Sequence, residues 1–312
     1  MKLFIQIVLI VAGVLVVLGG ILVGVAILRG GEFWRTWQYS EDAIPFTKQF
    51  DAANVRNITV DTSSHAIEIV LAADDKITVT GQDDPRRYYT VEVVGDTLRI
   101  VNRSRSRNGF VSLFNWSWGT GVLRVALPAD MLLGNVNLNS TSGGIRWESY
   151  PANMENCTVD NTSGGIHLHD LVVSGTLQVE NTSGQISLQR CHAELGIRVD
   201  NTSGSITIFS CTTNGDLRAE STSGRISVEQ SRAVEMRIDN TSGRIELRGV
   251  IFTTLRCDNT SGSIAAALPA GEYRVKMSSV TGSKSSAFGN IENAEKSIHM
   301  QTVSGSIRIT QE

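Results

Sequence analysis

The sequence predicts an all-β protein: a single-stranded β-helix, or β-solenoid, of about 20-residue turns, preceded by one N-terminal transmembrane α-helix. Two observations carry this reading. Thr-Ser-Gly recurs at Thr141, Thr162, Thr182, Thr202, Thr222, Thr241 and Thr260, in steps of 21, 20, 20, 20, 19 and 19 residues. Upstream of all of them, the run from Leu3 to Leu28 holds no charged residue, and Gln6 is its only strongly polar one.

The N-terminal run comes first. As a helix rising 1.5 Å per residue it would be ~39 Å long, enough to cross a ~30 Å hydrocarbon core with some tilt. A secretory signal has a shorter apolar region, so the small residues Gly24 and Ala26 are not read as a cleavage site. Trp34 and Trp37 follow where an interfacial aromatic belt would sit. Lys2 flanks one side and Arg29 and Arg35 the other, so local charge does not set orientation. Long domains cross largely regardless of such counts, and the bulk of the chain is expected outside the cytoplasm. The domain organisation expected is a transmembrane anchor over 1–28, a linker over 29–44, an irregular β capping region over 45–130 and solenoid repeats over 131–312.

Each repeat reads as two short strands around a turn. Apolar and polar residues alternate before it, as in Ile197-Arg198-Val199-Asp200, and again after it, as in Gly204-Ser205-Ile206-Thr207-Ile208. Period-two patterning means strands with one buried face, and units this short bury a core only by stacking. Weaker copies follow at Val280-Thr281-Gly282 and Val303-Ser304-Gly305, and an upstream echo, Val60-Asp61-Thr62-Ser63-Ser64, precedes Ile67.

Stacking at about 4.8 Å places like residues in columns. Four are apolar. They run through Ile145, Ile166 and Ile186; through Trp147, Leu168 and Leu188; through Cys157, Leu177 and Ile197; and through Val159, Val179 and Val199. Two more are polar. Asn161, Asn181, Asn201, Asn240 and Asn259 share one position, with Ser221 the exception. Their amides are expected to hydrogen-bond to one another along a ladder, with Asn and Gly supplying positive-φ turn residues. Asp160, Glu180, Asp200, Glu220, Asp239 and Asp258 form an acidic column, with Arg198, Arg218, Arg237 and Arg256 two residues earlier on the same strand face. No cap is evident after Ile307-Arg308-Ile309, so end-to-end self-association is expected.

Several motifs invite chemistry and do not support it. Aspartic proteases need Asp directly before Thr-Gly or Ser-Gly; here Asn and Thr intervene, and the acid recurs on nearly every turn. Glycan cleavage needs carboxylates in unequal surroundings, whereas a uniform column gives each the same. His167 and His169 share a strand face but find no repeating metal-ligand partner. Asn-Thr-Ser fits a glycosylation sequon five times, yet Asn and Thr are also what the turn needs. Cys191 and Cys211 occupy one position in successive turns. The spacing would permit a disulfide, though parallel side chains hold the Cβ atoms slightly too far apart, and stacked thiols are favoured. Cys157 and Cys257 fall in core columns too far apart to pair. No cofactor and no metal is expected, and a formal charge of −3 gives no basic footprint for nucleic acid.

One segment breaks the pattern. It carries Arg103, Arg105 and Arg107, then Phe110, Phe114, Trp116 and Trp118. Basic residues beside aromatics suit contact with an anionic membrane surface or a partner; a hairpin tip is the plainer reading.

Three features together resemble a known group. They are Gly95-Asp96-Thr97-Leu98-Arg99-Ile100, then Leu123-Arg124-Val125-Ala126-Leu127-Pro128, then serial units such as Thr182-Ser183-Gly184-Gln185-Ile186. Over residues 50–312 the chain resembles the bacterial putative-adhesin family, a membrane-anchored β-solenoid domain of unknown function. The resemblance implies a β-helix-like fold, a place in the cell envelope and no established catalysis. It supplies no functional residue, and the Arg-aromatic segment departs from it. The function expected is a non-catalytic, membrane-anchored adhesin or scaffold that binds an envelope protein or a cell-wall polymer. The alternative is an envelope-stress sensing or regulatory accessory protein acting with a membrane partner.

Overall fold

The structure, a computed structural model, describes residues 43–84, 87–104, 121–148 and 152–312. The expected transmembrane helix, the linker up to residue 42, and Arg105, Arg107, Phe110, Phe114, Trp116 and Trp118 lie outside the described residues. Among the described residues no helix is long and apolar enough to cross a membrane. Apart from Ala43, these residues belong to one compact unit.

Two sheets, of thirteen and fifteen strands, form the walls of that unit. A regular turn begins with a long strand such as Thr176–Ser183, bends at Thr-Ser-Gly, and continues as a short strand such as Ile186–Gln189. A second corner then leads into a shorter piece such as His192–Ala193. Successive turns pair parallel and in register: Leu177 with Ile197, Val179 with Val199, Ile186 with Ile206, Leu188 with Ile208. All four apolar columns are therefore real and lie in the interior. Ile145, Trp147, Ile166, Leu168, Val179 and Ile206 are completely buried. Each buried aliphatic side chain contributes ~1.5–3 kcal/mol, which makes these columns the main term opposing chain entropy.

The two corners are built differently. At Thr-Ser-Gly the glycine takes positive φ, +127° at Gly184 and +125° at Gly204. The asparagines do not; they lie in extended strand just before the bend, contrary to the positive-φ role expected of them. The second corner puts non-glycine residues in the left-handed region: Asp170, Arg190, Ser210 and Gln230, with φ between 50° and 61°. Asp170 and Arg190 stack there as a bidentate ion pair, at 2.6 and 2.8 Å.

Both ends depart from sequence order. The echo Asn57–Thr62 is a genuine long strand, but it sits between Leu132–Ser140 and the later Thr97–Ser104. Ala66–Leu71 likewise lies between Ile145–Trp147 and Val122–Leu127. Three antiparallel strands then close this end: Arg87–Val94 on Thr97–Ser104, Lys76–Asp83 on Val122–Leu127, and Ile44–Asp51 on Lys76–Asp83. At the far end Lys296–Ser304 inserts beside Thr254–Ser261, and the earlier Tyr273–Thr281 is pushed outside it.

Ile307 and Ile309 are consequently not at a bare end. Lys284–Ser286 pairs with their strand on its outer side. The outermost turn carries Arg274, Lys276 and Lys284, and cations on an edge disfavour strand addition. Tyr273 packs edge-on against Phe288 (centroids 4.9 Å apart) and near Phe252 (6.0 Å), covering the interior with aromatic rings.

Candidate functional site: a polar groove along the stack

The groove arises from the alternation within each long strand. In Ala152–Ser163, Cys157, Val159 and Asn161 face inward, while Asp160 faces out. Thr162, next along the same strand and just before the bend at Gly164, is exposed. Repeated turn after turn, this makes an acidic row on one flank, a threonine row on the other, and an asparagine row between them. The resulting groove encloses about 1050 Å³ and runs from Asp61 and Thr62 at one end to Ser278 and Val280 at the other.

The asparagines are buried, only 4–5% exposed. They do not bond to one another as expected. Each donates Nδ2 to a glycine carbonyl of the preceding turn: Asn161 to Gly143 (2.9 Å), Asn181 to Gly164 (2.8 Å), Asn201 to Gly184 (2.9 Å), Asn240 to Gly224 (2.8 Å) and Asn259 to Gly243 (2.9 Å). The amide reaches that neighbouring backbone because the glycine corner brings a carbonyl directly beside it. Asn240→Ala is expected to cost ~1–3 kcal/mol, since it strands a buried acceptor. A urea titration followed by circular dichroism reads this as a lower midpoint.

The groove wall is negative. Its lining holds seven carboxylates and one guanidinium, Arg237. Along the strand face, pairing is graded. Arg237 and Arg256 reach Asp239 and Asp258 at 2.7 Å, and Arg218 pairs with Glu220. Among the described residues, Glu180 accepts from the amide of Gln178 at 2.7 Å and pairs with no guanidinium. Desolvation, and then the charge of Glu180, raises the pKa of Asp160. Asp200 is raised by desolvation, then by Glu220 and Glu180, with Arg198 and Arg218 opposing.

These raised values fix the sign of the pH effect. The folded state holds the two protons more tightly than the unfolded chain does. Their contribution to stability is greatest at acid pH and is lost as pH rises through the raised folded values. Asp200→Asn, fixed neutral, is expected to melt above wild type at pH 7, with the difference disappearing below about pH 4. Thermal melts across that range check it. Asp170, lowered chiefly by its hydrogen bond from Arg190, acts in the opposite sense.

Of the candidate interaction residues, Arg103 is exposed near the end of Thr97–Ser104, opposite Tyr88. The other six lie outside the described residues. Their segment leaves the chain at Ser104 and rejoins it at Gly121, between a long strand and a short one. That is the chain position Thr-Ser-Gly takes in the other turns. His167 and His169 are half-buried on the outer face, and among the described residues no three His, Cys, Asp or Glu side chains could hold a metal ion. All four cysteines are free and buried. Burial raises the thiols of Cys157 and Cys257. In the stacked pair, Cys211 is held protonated by its hydrogen bond to Cys191 and by burial.

Sequence reasoning found both polar rows but not the groove between them. It also missed a buried cluster where His65 Nδ1 lies 2.7 Å from Tyr89 Oη; burial, then Arg87, lowers the His65 pKa. A lone histidine beside an irregular strand gives no periodic signal.

Fold and groove together define an all-β solenoid with a continuous polar cleft across its turns. The chain belongs to the Toastrack DUF4097 family, whose sequence model matches residues 55–310. A solved putative adhesin from Parabacteroides distasonis is 14% identical, with a TM-score of 0.52 over 85% of this chain and 97% of its own. Putative adhesins from Parabacteroides merdae (9% identical, TM-score 0.42, 86% of this chain and 97% of theirs) and Bacteroides fragilis (14%, 0.38, 85% and 97%) are also similar. At such identities the first of these speaks for the fold alone. Among curated proteins, none matches the chain in sequence.

Proposed function

We propose that this protein is a non-catalytic binding module of the bacterial cell envelope. In this reading the N-terminal helix holds it at the membrane, outside the cytoplasm, and the groove takes an extended cell-wall polymer. The observation that carries it is the groove's periodicity. Carboxylate, amide and threonine recur at each turn from Asp160 to Thr260, with Ser221 alone replacing the amide. A linear polymer laid along such a surface repeats one weak contact many times, and linked contacts raise affinity without any single strong site. The negative wall favours neutral or cationic polymers over polyphosphates, by like-charge repulsion.

Two measurements test this. Full-length protein in detergent micelles should co-sediment with purified cell-wall sacculi and lose retention when Asp160, Glu180 and Asp200 are changed together to their amides. Absence of retention on any wall fraction would overturn the binding role. In cells, the chain should stay with membranes through an alkaline wash, and release into the supernatant would overturn the anchor.

A further inference from the structure

We infer that the turn carrying Ser221 is a recognition position for an ammonium group on the groove's ligand, which makes that ligand an amine-bearing polysaccharide. The inference rests on the binding role proposed above. Ser221 pairs in register with Asn201 on one side and Asn240 on the other, so it occupies the asparagine row. Asn201 donates its amide to the Gly184 carbonyl, and Asn240 donates to that of Gly224. The corresponding carbonyl at the Ser221 turn is that of Gly204, and among the described residues no side chain donates to it.

Reach alone does not explain the break. In the outermost turn Ser279 Oγ does donate to its counterpart, the Gly305 carbonyl, at 3.1 Å. Ser221 is 6% exposed, lines the groove, and its Oγ has no hydrogen-bond partner. A buried polar atom in that condition is costly unless something pairs with it. At this one turn Ser221 Oγ, which can donate as well as accept, has no partner, and the Gly204 carbonyl is left as a bare acceptor, both beside the carboxylates of Asp200 and Glu220. Such a set calls for a compact donor with positive charge. A primary ammonium brings three N–H donors and no acceptor. A neutral acetamide brings one N–H, a carbonyl that meets the carboxylates unfavourably, and extra bulk.

The test uses full-length protein in detergent micelles, titrated calorimetrically with glucosamine oligomers and with N-acetylglucosamine oligomers of equal length. Wild type should bind the amine-bearing oligomer ~10-fold more tightly, the worth of one charge-assisted hydrogen bond. Ser221→Asn places an amide where the ammonium would sit and restores the donor to Gly204. It should melt above wild type yet bind the amine oligomer ~10-fold more weakly. Ser221→Ala, which cannot complete the ladder, should also lose affinity and serves if Ser221→Asn fails to fold. Unchanged affinity in both variants, or equal affinity of wild type for the two oligomers, overturns the inference while leaving wall binding intact. If wild type neither binds an oligomer nor sediments with sacculi, the binding role itself fails.

Discussion

Gly204→Ala is expected to destabilise the protein by more than ~3 kcal/mol, a large share of the ~5–15 kcal/mol that holds a domain folded. A Cβ at Gly204 would stand 2.2 Å from the Gly184 carbonyl oxygen and 2.8 Å from its carbon. Both are backbone atoms of the turn beneath, so neither can rotate aside. The residue also sits at φ +125°, where an L side chain is strained by ~1–3 kcal/mol before any clash. Displacing it would disturb the turn above as well, since Gly224 approaches the Gly204 carbonyl at least as closely. Gly289→Ala is the control. Nothing lies within 4 Å of a Cβ there, and a change within ~0.5 kcal/mol is expected. Urea denaturation followed by circular dichroism separates the two. A Gly204→Ala midpoint equal to wild type would mean the corners are not in contact.

Trp147→Ala is the second large effect, at ~3–5 kcal/mol. Trp147 is completely buried and is the largest side chain of the interior. It pairs in register with Leu168 on one side and Ile69 on the other, so it joins the regular repeats to the strand inserted from upstream. Truncation removes packing contacts towards both neighbouring turns and leaves a cavity that two rigid sheets cannot close. Trp147→Phe keeps a ring in place and should cost clearly less. Denaturation midpoints of the two variants give the comparison, and equal midpoints would place the residue outside the packed interior.

The interior was legible in the sequence because burial here has a strict period. Ile186 and Leu188 face inward for the same reason as Ile206 and Ile208: parallel in-register pairing repeats whatever one turn does. The family resemblance was legible too, from ordered short motifs rather than from any single one. The second corner was not. Asp170, Arg190, Ser210 and Gln230 adopt left-handed backbone there, and glycine takes the position in the following turn at Gly249, so no repeating residue type marks it. The partner of the asparagine amides was misread because the glycine carbonyl that accepts them comes from the turn before, 16 to 18 residues back. Only the bend at Thr-Ser-Gly brings it near. The groove was missed for a related reason: Asp160, Asn161 and Thr162 are ordinary strand neighbours, and only the stacking of many turns joins their rows into one cleft.

By itself the sequence determined that turns of about 20 residues stack in parallel, which side chains point inward, and that acids and asparagines would each form a row. These are local consequences of alternation and spacing, and every turn states them again. Tertiary structure decided the order of turns at both ends, where 57–71 slips in beside 132–147 and 296–311 displaces 273–286 outward. Because each turn offers nearly the same apolar columns, local pattern cannot say which turn lies on which. That choice belongs to end residues such as Tyr273, Phe252 and Phe288, whose shapes fit one neighbour and no repeat.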